Sequence, residues 1–187
     1  MHILTTPLED LSFLHAGDEV KLSGVIYTAR DAAHQRLVKL IAEGKELPIP
    51  LSGSVIYYVG PCPAPPGEVI GSAGPTTATR MDSLTIPLLE QGLKGMIGKG
   101  GRSKEVQDAI ARHGAVYFAA VGGAGAYIAQ CIKEVEVVAY PELGPEAVHR
   151  MVVKDLPLIV AIDSHGGNIF TSGSAQYRDP SLEEAFR

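Results

Sequence analysis

Tryptophan is absent from this sequence, and aromatic residues make up only 6% of its 187 positions. Base-stacking platforms are built from such side chains, so no nucleic-acid partner is expected. Positive charge is also short. The 16 Lys and Arg are outnumbered by 21 Asp and Glu, the net charge is −5, and no Lys/Arg run occurs. A nucleic-acid binder would carry a basic face. Cysteine is scarce too. Cys62 and Cys131 lie far apart, with no CxxC and no disulfide framework, and read as two structural thiols. Two thiols are too few for an iron–sulfur cluster, which takes roughly three or four. No apolar run is long enough to span a membrane. The N-terminal "MHILTTPLEDL" lacks the basic segment and apolar core of a signal peptide. A soluble, cytoplasmic protein with no membrane association is expected.

What is present is a chain that is 45% hydrophobic, enough for one sizeable core. A single domain over residues 1–187 is expected, with a loosely held polar tail over about 174–187. "ILTTPLEDL" predicts a short strand, then a helix capped by Thr6 with Pro7 at its first position. A strand over 18–29 leads to a helix from Arg30, with Ala33, Leu37, Leu40 and Ile41 on one face and Gly44 as its stop. Strands are predicted over 54–60 and 68–74, on either side of the Pro-rich loop 61–68. Thr85 and Pro87 suggest the start of a helix that ends at Gly92. "KGMIGKGGRS" is a short strand running into a glycine loop. The helix after it is capped by Ser103 and stopped by Gly114. "AVYFAAVGG" is a strand with a glycine turn, and "AGAYIAQCI" a helix. Strands over 133–140, 148–156 and 156–166 close the domain. The expected fold class is α/β: a layered, mixed or barrel-like sheet with packed helices.

Two glycine loops fall short of nucleotide motifs. "GMIGKGGRS" has Leu93 where a phosphate loop needs its first glycine, and Gly100 where it needs Ser or Thr. "GGAGAYIAQ" has Ile128 at the third glycine position of a dinucleotide fingerprint. "DSHGG" (163–167) sets Asp, Ser and His side by side. Strand neighbours point to opposite faces, so a strand ending in a turn is favoured over a catalytic relay. His2, His15, His34, His113 and His149 show no metal-ligand spacing and read as solvated or capping residues.

The loop cations are more informative. Helix N-termini mildly oppose positive charge. Yet Arg30 opens one helix, Arg80 follows the turn "GPTT" (74–77), and Lys99 and Arg102 flank the start of a third. Loops at strand-to-helix junctions are where ligands lie in sheet-based α/β folds. On one reading they meet around a small dicarboxylate. Thr76 or Thr77 would add a hydroxyl, Arg80 a planar fork for one carboxylate, and Arg30 and Lys99 a site for the second. On the other, Thr76 is a helix cap and the arginines are solvated.

"GPTTATRMDS" followed by "GMIGKGGRS" resembles the C-terminal domain of class I fumarases and the β subunit of L-tartrate dehydratase. The resemblance extends to "GVIYTARDAAHQRL" and "DSHGGNIF", and so to nearly the whole chain. It implies the swivelling β/β/α fold. It also implies a hydro-lyase, either hydrating fumarate to (S)-malate in central metabolism or dehydrating tartrate to oxaloacetate. In such enzymes a [4Fe-4S] cluster has one iron, free of cysteine, that binds the substrate hydroxyl. By position, Thr76 matches a threonine assigned to substrate contact and proton transfer. Arg30, Arg80 and Lys99 match substrate-carboxylate ligands. The family's cluster cysteines lie in an N-terminal domain, and this sequence starts where the C-terminal domain would. A β subunit is therefore expected, with the cluster and the base that takes the C3 proton carried by an α subunit. A heterotetramer with that partner, and a homodimer without it, complete the expectation. A small-anion binding module without a catalytic partner is the rival reading.

Overall fold

A computed structural model describes residues 1–176. Its elements run β1 (His2–Thr5), β2 (Glu19–Thr28), α1 (Asp31–Ala42), β3 (Val55–Tyr57), a 3-10 turn (Ala78–Met81), α2 (Asp82–Glu90) and β4 (Gly95–Gly98). They continue through α3 (Lys104–His113), β5 (Val116–Ala119), α4 (Gly125–Cys131), β6 (Ile132–Ala139), a second 3-10 segment (Pro141–Glu146), β7 (Val148–Ile162) and α5 (Ile169–Gln176). Most of the expected tail lies outside the described residues, and Ser174–Gln176 belong to α5.

The two longest strands, β2 and β7, pair antiparallel and form the spine of the sheet. One edge of β2 is shared by β1 and β3, both parallel to it. The far edge of β7 is shared by β6 and β5, both antiparallel to it. Parallel pairing runs on from β3 to β4 to β5. Strands β2, β3, β4, β5 and β7 thereby close into a five-stranded barrel, with β1 and β6 as added strands. This is the barrel-like mixed sheet with packed helices that the sequence implies.

Side-chain alternation divides the core. Val55, Tyr57, Ile97, Val116 and Phe118 enter one buried cluster with Leu22, Ile26, Met151 and Val160. Their neighbours Ile56, Tyr58, Met96 and Tyr117 enter a second cluster with Leu37 of α1, Leu88 and Leu89 of α2, and Val106 and Ile110 of α3. Successive strand residues face opposite sides, so strands buried on both sides read as unbroken apolar runs. That accounts for "SVIYYV" and "AVYFA". Helix α3 has the ends its sequence predicts. The Ser103 hydroxyl accepts from Val106 N–H at 3.4 Å, and Gly114 closes it at φ 58°.

Four expectations fail, each for a local reason. No helix follows Thr6, because Leu8 N–H donates to Gly53 O at 2.7 Å and draws the chain across to another loop. Residues 68–74 form no strand. Gly71 N–H bonds to Cys62 O and Cys62 N–H to Ser72 O, so this segment pairs with the Pro-rich loop rather than with the sheet. Helix α2 starts at Asp82, not Thr85, and Pro87 lies inside it. The Thr85 hydroxyl donates back to Met81 O at 2.8 Å instead of capping. The strands expected over 148–156 and 156–166 are one strand, β7, which turns at Asp155 (φ 51°) opposite an irregularity in β2.

Candidate active site

Because β2, β3 and β4 are parallel neighbours, their carboxyl ends reach the same rim of the barrel. Arg30 follows β2 at the cap position of α1, Tyr58 follows β3, and Lys99 follows β4. The "GPTT" turn crosses this rim. Thr76 N–H donates to Tyr58 O at 2.7 Å, Lys99 N–H to Thr76 O at 3.2 Å, and Ala78 N–H to Lys99 O at 2.9 Å. Thr77 is thus laid alongside Lys99 as a one-residue parallel bridge. Thr76 is half-buried, whereas Thr77, Arg80 and Lys99 are exposed. Neither threonine caps a helix through its side chain: Thr77 holds the cap position of the 3-10 turn without a capping bond.

The arginines meet at one carboxylate. Arg80 Nε donates to Asp31 Oδ1 at 3.0 Å, and its Nη2 lies 3.0 Å from Oδ2. Arg30 Nη2 lies 3.8 Å from Asp31 Oδ2 and 3.1 Å from Glu146 Oε1. Glu146 also accepts from Ala32 N–H at 3.2 Å, which supplies the N-terminal cap that Arg30 does not. Gly60 leaves room for this arrangement, since a Cβ there would stand 2.9 Å from Arg30 Nη1. Lys99 has no ion-pair partner among the described residues. The structure therefore brings Arg30, Thr76, Thr77, Arg80 and Lys99 to one rim, linked by backbone bonds and by Asp31. Asp31 and Glu146 went unnoticed in the sequence. The acidic residue directly after Arg30 was the available signal for Asp31. Glu146 is remote in the chain and left none.

Arg102 does not join them. Its side chain has no exposed surface. Nε donates to Asp82 Oδ1 at 2.6 Å, Nη2 to the Thr85 hydroxyl at 2.7 Å and Nη1 to the Tyr58 hydroxyl at 3.2 Å. The guanidinium lies over the Tyr58 and Tyr117 rings. Burial opposes its charge, but Tyr58 and Asp82 outweigh burial and hold its pKa above the ordinary value. Asp82 Oδ2 also accepts from Ser103 N–H at 2.7 Å. The cation expected to face an anionic ligand instead ties "TRMDS" to "GKGGRS".

His34 also departs from the solvated reading. It is fully buried on α1, its Nδ1 lies 2.9 Å from Arg30 O, and its ring meets Tyr58 edge-on at 5.4 Å. Burial pushes its pKa down to about 4, so the ring is neutral and Nδ1–H donates to Arg30 O. "DSHGG" is the expected strand end. Asp163 follows β7 and accepts from the N–H groups of Ala16, His165 and Gly167 at 2.7–2.8 Å. Burial would raise the Asp163 pKa, but these three bonds outweigh it and hold the carboxyl below its ordinary range.

The donors for a metal cluster are not assembled here. Cys62 is exposed in the Pro-rich loop and Cys131 is buried at the end of α4. Among the described residues no group of three or more His, Cys, Asp or Glu is placed to hold a metal ion. The described part of this chain does not fit an iron–sulfur cluster. Nor is any of its helices long and apolar enough to cross a membrane.

The family model described as "Fumarase C-terminus" matches residues 3–173. "Fumarate hydratase class I, anaerobic" of Escherichia coli (strain K12) is 44% identical over 166 residues, covering 87% of this chain and 30% of that protein. "Fumarate hydratase 2" of Leishmania major is 39% identical over 165 residues, with 87% and 29% covered. "Putative L(+)-tartrate dehydratase subunit beta" of Methanocaldococcus jannaschii is 40% identical over 168 residues, with 87% and 86% covered. The chain thus spans about 30% of the length of the fumarate hydratases and most of the length of the third relative.

Two outcomes follow from the buried groups. Asp82→Ala leaves the Arg102 charge without its carboxylate and is expected to destabilise the fold by about 3–5 kcal/mol in denaturant titration. A loss below about 1 kcal/mol would contradict the pairing. For His34 the unfolded ring takes up a proton near pH 6.5, whereas the folded ring does so only near pH 4. Stability is therefore full above pH 6.5 and falls as pH drops towards 4, by a few kcal/mol in all. In His34→Gln this part of the decline is expected to disappear.

Proposed function

This chain belongs to the fumarase C-terminus family, and on that premise we propose that it is the β subunit of a two-subunit hydro-lyase that hydrates fumarate to (S)-malate. Its part is to bind and orient the substrate's two carboxylates at the rim formed by Arg30, Thr76, Thr77, Arg80 and Lys99. The observation that carries this reading is the convergence of Arg30 and Arg80, from separate segments, on the single carboxylate of Asp31. A rim that gathers two guanidinium groups around one carboxylate has the chemistry to grip another.

In this reading Arg80 takes one substrate carboxylate through its planar fork, and Arg30 and Lys99 take the other. The reaction is reversible, and in the dehydrating direction loss of the C3 proton of malate builds negative charge onto the adjacent carboxylate. Fixed cations stabilise that developing charge more than they stabilise the ground state. Thr76 is held by its backbone between Tyr58 and Lys99. Its hydroxyl positions the substrate or donates a hydrogen bond. An alcohol of ordinary pKa is a weak general acid, so full proton transfer is the less favoured role. The proton acceptor and the [4Fe-4S] cluster are assigned to a partner α subunit in a cytoplasmic heterotetramer, and no step assigned to this chain runs through the cluster.

A second reading is a tartrate dehydratase β subunit. It is favoured by the 86% coverage of the Methanocaldococcus jannaschii relative, whose name carries both the substrate and the subunit. The two substrates differ in hydroxylation and share the carboxylates, so the same clamp serves either. Coexpression with the α subunit and kinetics on fumarate, malate and tartrate separate the readings. In that complex Arg80→Lys keeps the charge and loses the fork. We expect it to lose roughly 2–4 kcal/mol of transition-state stabilisation, on the order of a hundredfold in kcat/KM. An unchanged kcat/KM would remove Arg80 from the clamp.

A further inference from the structure

We propose that Asp31 is a positioning residue for the clamp: it holds one edge of the Arg80 guanidinium so that the opposite edge is presented, unpaired, to a substrate carboxylate. The identity of that ligand rests on the proposed function; the pairing with Asp31 does not.

A guanidinium has five N–H groups in a fixed plane. Asp31 engages the side-on edge: Oδ1 accepts from Nε at 3.0 Å, and Oδ2 lies 3.0 Å from Nη2 as an ion-pair contact without a hydrogen bond. One N–H of Nη1 and the facing N–H of Nη2 form the end-on edge, which matches the two oxygens of a carboxylate. Nη1 has no protein partner among the described residues, and the Arg80 side chain is 49% exposed. A half-exposed arginine with no tether would lose much of its rotamer freedom on gripping a ligand. Asp31 removes that freedom before the ligand arrives. It is itself anchored: it is the first residue of a 12-residue helix, where a negative charge is favoured, and only 27% of its side chain is exposed.

A purely structural reason for this pair is weak, because exposed ion pairs add little stability. The pair also joins two of the segments that bring cations to the rim, residues 31 and 80, which lie 49 positions apart. Asp31 and Glu146 together offset two of the three positive charges of Arg30, Arg80 and Lys99. The rim stays net positive without two bare guanidinium groups repelling each other.

The test is Asp31→Asn in the complete two-subunit enzyme, with Asp31→Glu and Arg80→Lys alongside. Asp31→Asn is expected to raise KM for fumarate and malate about tenfold with a smaller change in kcat, and Asp31→Glu to recover part of it. In the Arg80→Lys background, Asp31→Asn is expected to add nothing further, because its effect runs through the fork. Unchanged KM, or two independent multiplying losses, would overturn the proposal. A second measurement needs no turnover. In nitrogen-15 NMR of this chain, Arg80 Nε–H is expected to be resolved and slowly exchanging, and to lose that protection in Asp31→Asn. If the wild-type Nε–H exchanges as fast as an untethered arginine, the positioning role fails whatever the substrate. A complex that turns over no dicarboxylate would sink the proposed function and leave the NMR result to decide the role of Asp31.

Discussion

A guanidinium with no exposed surface sits behind the candidate site, and the site's geometry depends on it. Arg102 comes from the glycine loop after β4, and Asp82 from the start of α2. Their contact fixes the two loops relative to each other. Arg80 lies two residues before Asp82, and Lys99 three before Arg102. Arg102 also reaches the hydroxyl of Tyr58, whose carbonyl receives Thr76 N–H. A charge buried this deeply costs several kcal/mol unless every contact is made. That all-or-none character lets a surface loop behave as a rigid part of the barrel.

The second constraint is topological. Parallel strands send their carboxyl ends to the same side, so β2, β3 and β4 deliver Arg30, Tyr58 and Lys99 to one rim without any long loop. The "GPTT" turn then needs only backbone bonds to lie across them. Charges on the rim are arranged in opposition. Asp31 and Glu146 take up part of Arg30 and Arg80, and Lys99 is left without an ion pair among the described residues. Behind the rim the side chains are buried and hydrogen-bonded, while Thr77, Arg80 and Lys99 are exposed, which suits the proposed completion of the site by another subunit.

Features set by neighbours in the chain were legible in the sequence. The unbroken apolar run in "SVIYYV", the Ser103 cap and the Gly114 stop each follow from residues a few positions apart. The cations of the rim were legible from their unfavourable placement near helix starts. What was not legible depends on distant contacts. Arg102 carries the same local signal as Arg80, and only Asp82 and Thr85, 20 and 17 residues away, reveal it as structural. Glu146 reaches Ala32 across 114 residues. "EVIGSAG" has strand composition, but its hydrogen bonds go to the Pro-rich loop and so place it outside the sheet. Asp31 directly follows Arg30 in the chain, but its pairing with Arg80 spans 49 residues and leaves no local signal.

A crystal structure of this chain with its α subunit and bound malate tests most directly whether the rim cations grip a dicarboxylate. The expected result is one carboxylate on the open edge of Arg80 and the other between Arg30 and Lys99, with the ligand beside Thr76. Malate bound elsewhere, with Arg80 still facing solvent, would contradict it.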